Sequence, residues 1–367
     1  MSEVTHRTIE TNGIRMHIAE QGEGPLVLLC HGFPESWYSW RNQLRALADA
    51  GFRAVSPDMR GYGQTDAPAE IEKYTLLHVV GDMVGVLDAL GAETAAIAGH
   101  NWGAPVAWHA AQMRPDLFRG VIGLSVPFRP RGASPPTTKM PQNEETLFYQ
   151  LYFQAPGVAE AELERDPHLT IRAMLFGASG EGSRLRGPND AVGMVPRKHG
   201  FLRGLTSPPP LPPWLTQADV DFYVGEFSRT GFRGGLNWYR NIDRSWELLA
   251  PFAGLNVNVP ALYVAGDRDL VMHFPGMDRL LPNLSNFVPK LRKTIVLPGC
   301  GHWTQQGAAG GSQCSDDRIF ARTVSGCART GCRSRPLFPR ATLLHQVDNR
   351  SPKALSCDFL VSHGRPA

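Results

Sequence analysis

The segment AIAGHNWGAPVAWHAA, residues 96–111, constrains this chain more than any other stretch. An apolar run enters Gly99, passes His100, Asn101 and Trp102, and leaves through Gly103 and Ala104 into an alanine-rich helical pattern. Small residues two before, two after and three after Asn101 permit a sharp strand-to-helix turn, the nucleophile elbow, which lifts side chain 101 off the end of a sheet. Such a turn needs a strand before it and a helix after it. The rest of the sequence must therefore supply parallel strands joined by helical crossovers.

The flanking sequence supplies them. LVLLC (26–30), FRAVSPD (52–58), TAAIAGH (94–100) and GVIGLSV (120–126) are short aliphatic or β-branched runs of the kind that fill a parallel sheet buried on both faces. Between them VVGDMVGVLDAL (79–90) carries apolar residues near helical spacing and stops at Gly91. The alternation returns with PALYVAG (260–266) and KTIVLPG (293–299). The expected class is α/β, a mostly parallel sheet flanked by helices. Residues 1–126 and 249–306 form the two parts of its core.

Residues 127–248 break the alternation. The stretch has few strand-like runs and a proline cluster, SPPPLPP (207–213), expected as a rigid loop. Thr216 and Asp219 have the spacing of a capping box, and Val220, Tyr223, Val224 and Phe227 form an apolar stripe that ends at Gly231. A mostly helical insertion between two halves of one sheet is expected to lie as a cap over the strand ends, where open α/β sheets bind ligands.

Charge excludes some functions. With 37 basic and 34 acidic residues the net charge is only +3, too little to argue for a nucleic-acid partner. No apolar run approaches the roughly 20 residues of a membrane span, and the first ten residues lack a signal peptide's apolar centre. The expectation is a soluble, cytoplasmic protein without a membrane partner; a homodimer is compatible with the sequence. Residues 307–367 hold nine Arg or Lys against four Asp or Glu, with 12 Leu, Ile, Val or Phe among 61 residues and no sustained period. This atypical tail is expected to be poorly ordered. Four of the six cysteines fall in it without paired CxxC spacing, so reduced thiols are expected rather than a metal site.

Three further motifs stand at expected strand ends. HGFPESWYSW (31–40) follows the first buried strand, and its glycine lets the Phe33 amide join the Trp102 amide as an oxyanion hole. GDRDLVM (266–272) offers Asp267 or Asp269 after a late strand, and GCGHWTQQ (299–306) offers His302 after the next. Nucleophile, acid and histidine in that order complete the arrangement of the α/β-hydrolase fold.

On these motifs, together with LFYQLYFQAPGVAEAELE (147–164) and GFRGGLNWYRNIDRSW (231–246), residues 5–306 resemble the α/β-hydrolase-fold epoxide hydrolases of the soluble and bacterial type. The resemblance implies addition of water to a small apolar epoxide to give a vicinal diol. It implies that Tyr149 and Tyr239 hydrogen-bond the epoxide oxygen, that Asp269 is the acid and His302 the base, and that neither an organic cofactor nor a metal takes part. It also implies aspartate at the elbow, where this chain has Asn101. A neutral amide is a poor nucleophile, so an ester through position 101 requires another state of that residue. Trp40, Phe148 and Trp238, with Phe33 and Trp102, suggest an aromatic, apolar pocket. A haloalkane dehalogenase would share the turns, but a halide favours indole donors over a tyrosine pair. A serine esterase lacks its GxSxG, since Ser125 has no flanking glycines of that kind. A binder without turnover is favoured by Asn101 alone.

Overall fold

A computed structural model of the chain describes residues 3–185 and 191–307. The expected disorder of the tail and the four cysteines in it concern residues 308–367, which lie outside the described residues.

Eight strands form one sheet: β1 (Thr5–Thr11), β2 (Ile14–Gln21), β3 (Leu26–Cys30), β4 (Arg53–Pro57), β5 (Ala95–His100), β6 (Phe118–Leu124) and, after β7 (Thr146–Phe148) and β8 (Met194–Pro196), which pair antiparallel as a small separate sheet, β9 (Ala261–Gly266) and β10 (Leu291–Leu297). The order across the sheet is β1-β2-β4-β3-β5-β6-β9-β10. From β4 to β10 every pairing is parallel; β1 and β2 pair antiparallel with each other, and β2 antiparallel with β4. Every residue of β3, β5 and β9 is buried, as their unbroken aliphatic runs require. The β1–β2 ribbon was not among the expected strands. Its first four residues are exposed and polar, so no aliphatic run marks it.

Alternation of side chains along β3 sorts the core into two layers. Leu26, Leu28 and Cys30 join one cluster with Ile97, Trp108 and Val121; Val27 and Leu29 join another with Trp40, Leu44 and Leu47 on the opposite face. Helices α2 (Leu76–Leu90) and α3 (Gly103–Met113) supply the first layer, α1 (Arg41–Asp49) the second. The Thr75 hydroxyl caps α2 by accepting from the His78 amide, and Gly91, at φ 63°, ends it in the left-handed conformation.

Between β6 and β9 the described residues form helices, the two-stranded β7–β8 sheet and connecting loops. The helix Gln217–Thr230 has the capping box expected of its sequence: the Thr216 hydroxyl accepts from the Asp219 amide at 3.2 Å and the Asp219 carboxylate accepts from the Thr216 amide at 2.9 Å. Val220, Tyr223 and Phe227 are buried, with Val224 half-buried beside them. The next helix, Arg233–Arg240, carries Trp238 and Tyr239 on its buried face. The proline cluster forms neither helix nor strand, and its Pro209 carbonyl accepts from Arg172. No helix among the described residues is long and apolar enough to cross a membrane.

Candidate active site

Strand β5 ends at His100, α3 begins at Gly103, and Asn101 sits between them at φ 52°, a left-handed conformation that asparagine tolerates better than most residues. The glycines are sterically required. A Cβ on Gly99 would strike the Gly103 carbonyl, and a Cβ on Gly32, in the loop after β3, would strike the Asn101 side chain itself. The amide oxygen of Asn101 accepts from two backbone donors, the N–H of Phe33 at 3.0 Å and that of Trp102 at 2.6 Å. Two facing donors fix the amide's orientation, because a flipped group would set its NH2 against both.

The other half of the amide meets a histidine. Asn101 Nδ2 lies 2.6 Å from His302 Nε2 and must donate to it, so the imidazole proton sits on Nδ1. There Asp269 Oδ1 receives it at 3.0 Å. The alternative acid, Asp267, instead accepts from the Gly299 amide at 2.7 Å. Asp269 is fully buried; burial alone would raise its pKa, but the His302 charge and hydrogen bond, with Ser125 and the Val271 amide, outweigh that and lower it. The carboxylate is therefore kept ionised beside the imidazole.

The two tyrosines close the opposite side. The Tyr239 ring packs edge-on against Phe33 at 5.7 Å and Trp102 at 5.2 Å between centroids, the same residues whose amides hold the Asn101 oxygen. Tyr149 packs on Tyr239 at 5.8 Å between ring centroids, and its hydroxyl accepts from Gln150 Nε2 at 3.0 Å. Burial pushes the Tyr149 phenol up to about 12 and Tyr239 well above its ordinary value, so both remain protonated donors at neutral pH. Phe148 backs Tyr149 at 4.8 Å. Trp238 lies 6.0 Å from Trp102 and donates its indole N–H to the Arg60 carbonyl at 3.1 Å. Trp40 corrects the expectation: it is fully buried under α1 in the cluster on the other face of the sheet, and it belongs to the core rather than to this pocket.

Two features escaped the sequence reading. Glu35 and His100, both fully buried, pair at 2.8 Å, and the other His100 nitrogen contacts the His302 carbonyl at 2.8 Å. Burial alone would raise Glu35, but the His100 charge and hydrogen bond bring it down to about 2; the same carboxylate outweighs burial at His100 and raises it. This pair pins the backbone of the His302 loop to the elbow. Glu35 also accepts from Gln305 at 2.7 Å. The second feature is Ser125, whose hydroxyl oxygen is 2.8 Å from His302 Nδ1. No group of three His, Cys, Asp or Glu among the described residues is arranged to hold a metal ion.

Comparison with known proteins places the fold in a family. A family profile described as the alpha/beta hydrolase fold matches residues 25–307. The chain is 44% identical over 317 residues to Epoxide hydrolase A of Mycobacterium tuberculosis, covering 84% of this chain and 95% of that protein. It is 43% identical over 312 residues to Epoxide hydrolase 2 of Siraitia grosvenorii, covering 83% and 95%. Among solved structures, an epoxide hydrolase from an endophytic Streptomyces superposes with a TM-score of 0.80 at 42% identity, over 88% of this chain and 96% of that one. The chain belongs to the epoxide hydrolases of the α/β-hydrolase fold.

Proposed function

We propose that the chain turns over small apolar epoxides once Asn101 has been hydrolysed to aspartate by its own site. The observation that carries this reading is the pose of the amide. Its oxygen occupies a two-donor hole and its nitrogen touches the base, as the carbonyl and leaving group of an ester intermediate would. In the maturation step His302 Nε2 takes a proton from water and the hydroxide adds to the amide carbon, placing charge on the oxygen held by the Phe33 and Trp102 amides. The carbon–nitrogen bond then breaks. His302 returns its proton to Nδ2, ammonia departs, and the new carboxyl group ionises.

The carboxylate at position 101 next displaces an epoxide carbon from its oxygen in line, forming an ester, while the oxygen takes a proton from Tyr149 or Tyr239. Water deprotonated by His302 attacks the ester carbonyl, and Asp269 stabilises the imidazolium. Collapse breaks the acyl–oxygen bond, and His302 protonates the leaving alkoxide. The acid proton left at position 101 restores the phenol. Water has been added to the epoxide, and a vicinal diol leaves. We assign residues 127–248 as the cap that brings the tyrosines over the core formed by 1–126 and 249–306. Phe33, Trp102, Phe148 and Trp238 line an apolar site.

Dehalogenase chemistry is disfavoured because a halide leaving group favours indole donors over the Tyr149–Tyr239 pair, and the Trp238 indole N–H is taken by the Arg60 carbonyl. A binder without turnover is favoured by the unconverted amide. Incubation with an aromatic epoxide separates the readings: Asn101→Asp forms diol without delay, and the chain as it stands forms diol only as it gains about 1 Da at residue 101. Absence of diol from Asn101→Asp would leave binding as the function.

A further inference from the structure

Ser125 has no part in the reaction above, yet its setting is the least ordinary near the site. It follows the last residue of β6, is fully buried, and holds φ at 67°. A non-glycine residue in the left-handed region is uncommon, and serine is not among the types enriched there. Two hydrogen bonds hold the conformation. The Ser125 amide donates to the Val264 carbonyl at 2.8 Å, the Tyr263 hydroxyl donates to the Ser125 carbonyl at 2.7 Å, and Tyr263 is itself fully buried. Anchors on β9 thus hold a strained residue of the neighbouring strand, and persistent backbone strain points to a function that needs it.

The side chain shows what the strain achieves. Ser125 Oγ lies 2.8 Å from His302 Nδ1, which also reaches Asp269 Oδ1 at 3.0 Å. With the Nδ1 proton required by the Asn101 contact, the N–H is forked between hydroxyl and carboxylate, and the hydroxyl is free to direct its own proton to Asp269. We propose that Ser125 is a positioning residue, which fixes the plane and tautomer of His302 by closing a triangle with Asp269. Resting on the epoxide hydrolase reading, the inference adds that the hydrolytic half-reaction depends on Ser125, whereas ring opening, which does not use His302 as a base, does not.

The decisive variant is Ser125→Gly, since glycine accepts the left-handed backbone while losing the hydroxymethyl group, and Ser125→Ala, which loses the hydroxyl alone, is its companion. Two measurements on the full chain keep the test independent of the functional reading. In the chain as it stands, the downfield Nδ1 proton resonance of His302 shifts or is lost in Ser125→Gly and in Ser125→Ala. An unchanged resonance overturns the proposal whether or not any epoxide is hydrolysed. In an Asn101→Asp background, Ser125→Gly retains ring opening within about twofold but slows ester hydrolysis about tenfold, so the covalent ester accumulates and is read by intact mass. A purely structural residue would slow both steps together or neither, with no accumulation, and that result would also overturn it. If Asn101→Asp itself makes no ester, the functional reading fails while the resonance test still decides the role of Ser125.

Discussion

Asn101 presents its amide nitrogen 2.6 Å from His302 Nε2 while its oxygen is held by two backbone N–H groups, so the site grips residue 101 as it would grip an acyl intermediate. The account predicts that prolonged incubation adds about 1 Da to the peptide containing Asn101, and that His302→Gln abolishes the change. Peptide mapping by mass spectrometry checks both. Equal rates with and without His302 would mean that the amide hydrolyses without help from the site.

In the proposed reaction each phenol donates to an oxygen that becomes anionic in the transition state, so removing one takes a donor away. In an Asn101→Asp background, Tyr149→Phe and Tyr239→Phe each slow ring opening by about 10²–10³, the loss typical of a single oxyanion donor. Stopped-flow measurement of ester formation reads the step directly. Unimpaired ring opening in the double variant would remove the tyrosines from the mechanism.

The buried Glu35–His100 pair gives a pH signature in stability. Glu35 is lowered from 4.5 to about 2, so its contribution is complete above the ordinary glutamate range and is lost as pH falls toward 2. His100 is raised from 6.5, so its contribution is complete below 6.5 and is lost as pH rises through its higher folded value. Glu35→Gln leaves a buried imidazole without its counter-charge, at a cost of about 3–5 kcal/mol. Thermal unfolding should show the largest gap between the two proteins at pH 4.5 to 6.5, narrowing on either side. A gap independent of pH would show that the pair is not ionised.

Local sequence was a good guide wherever the signal was local. The aliphatic run at 26–30 is β3 residue for residue, and the glycine pattern around 101 placed the elbow between β5 and α3. The capping box at Thr216 formed as its spacing required. Illegible features were of two kinds. In the β1–β2 ribbon, β1 opens with four exposed polar residues, and the apolar residues of β2, Ile14, Met16 and Ile18, are interleaved with Arg15 and His17, so neither strand shows the unbroken aliphatic run that marks β3. Ser125, Glu35 and His100 act through partners 177, 65 and 202 residues distant in the chain, a relation no local pattern can carry. Trp40 was misjudged because an aromatic beside a site motif reads alike whether it faces the pocket or lies beneath the next helix.

A chain carrying both Asn101→Asp and His302→Gln separates the two half-reactions, since it has the nucleophile but lacks the base. Mixed with an aromatic epoxide and digested, it should carry the whole mass of that epoxide as an ester on residue 101, stable for as long as water is not activated. Consumption of the epoxide with residue 101 unmodified, or an adduct on another side chain, would contradict the account.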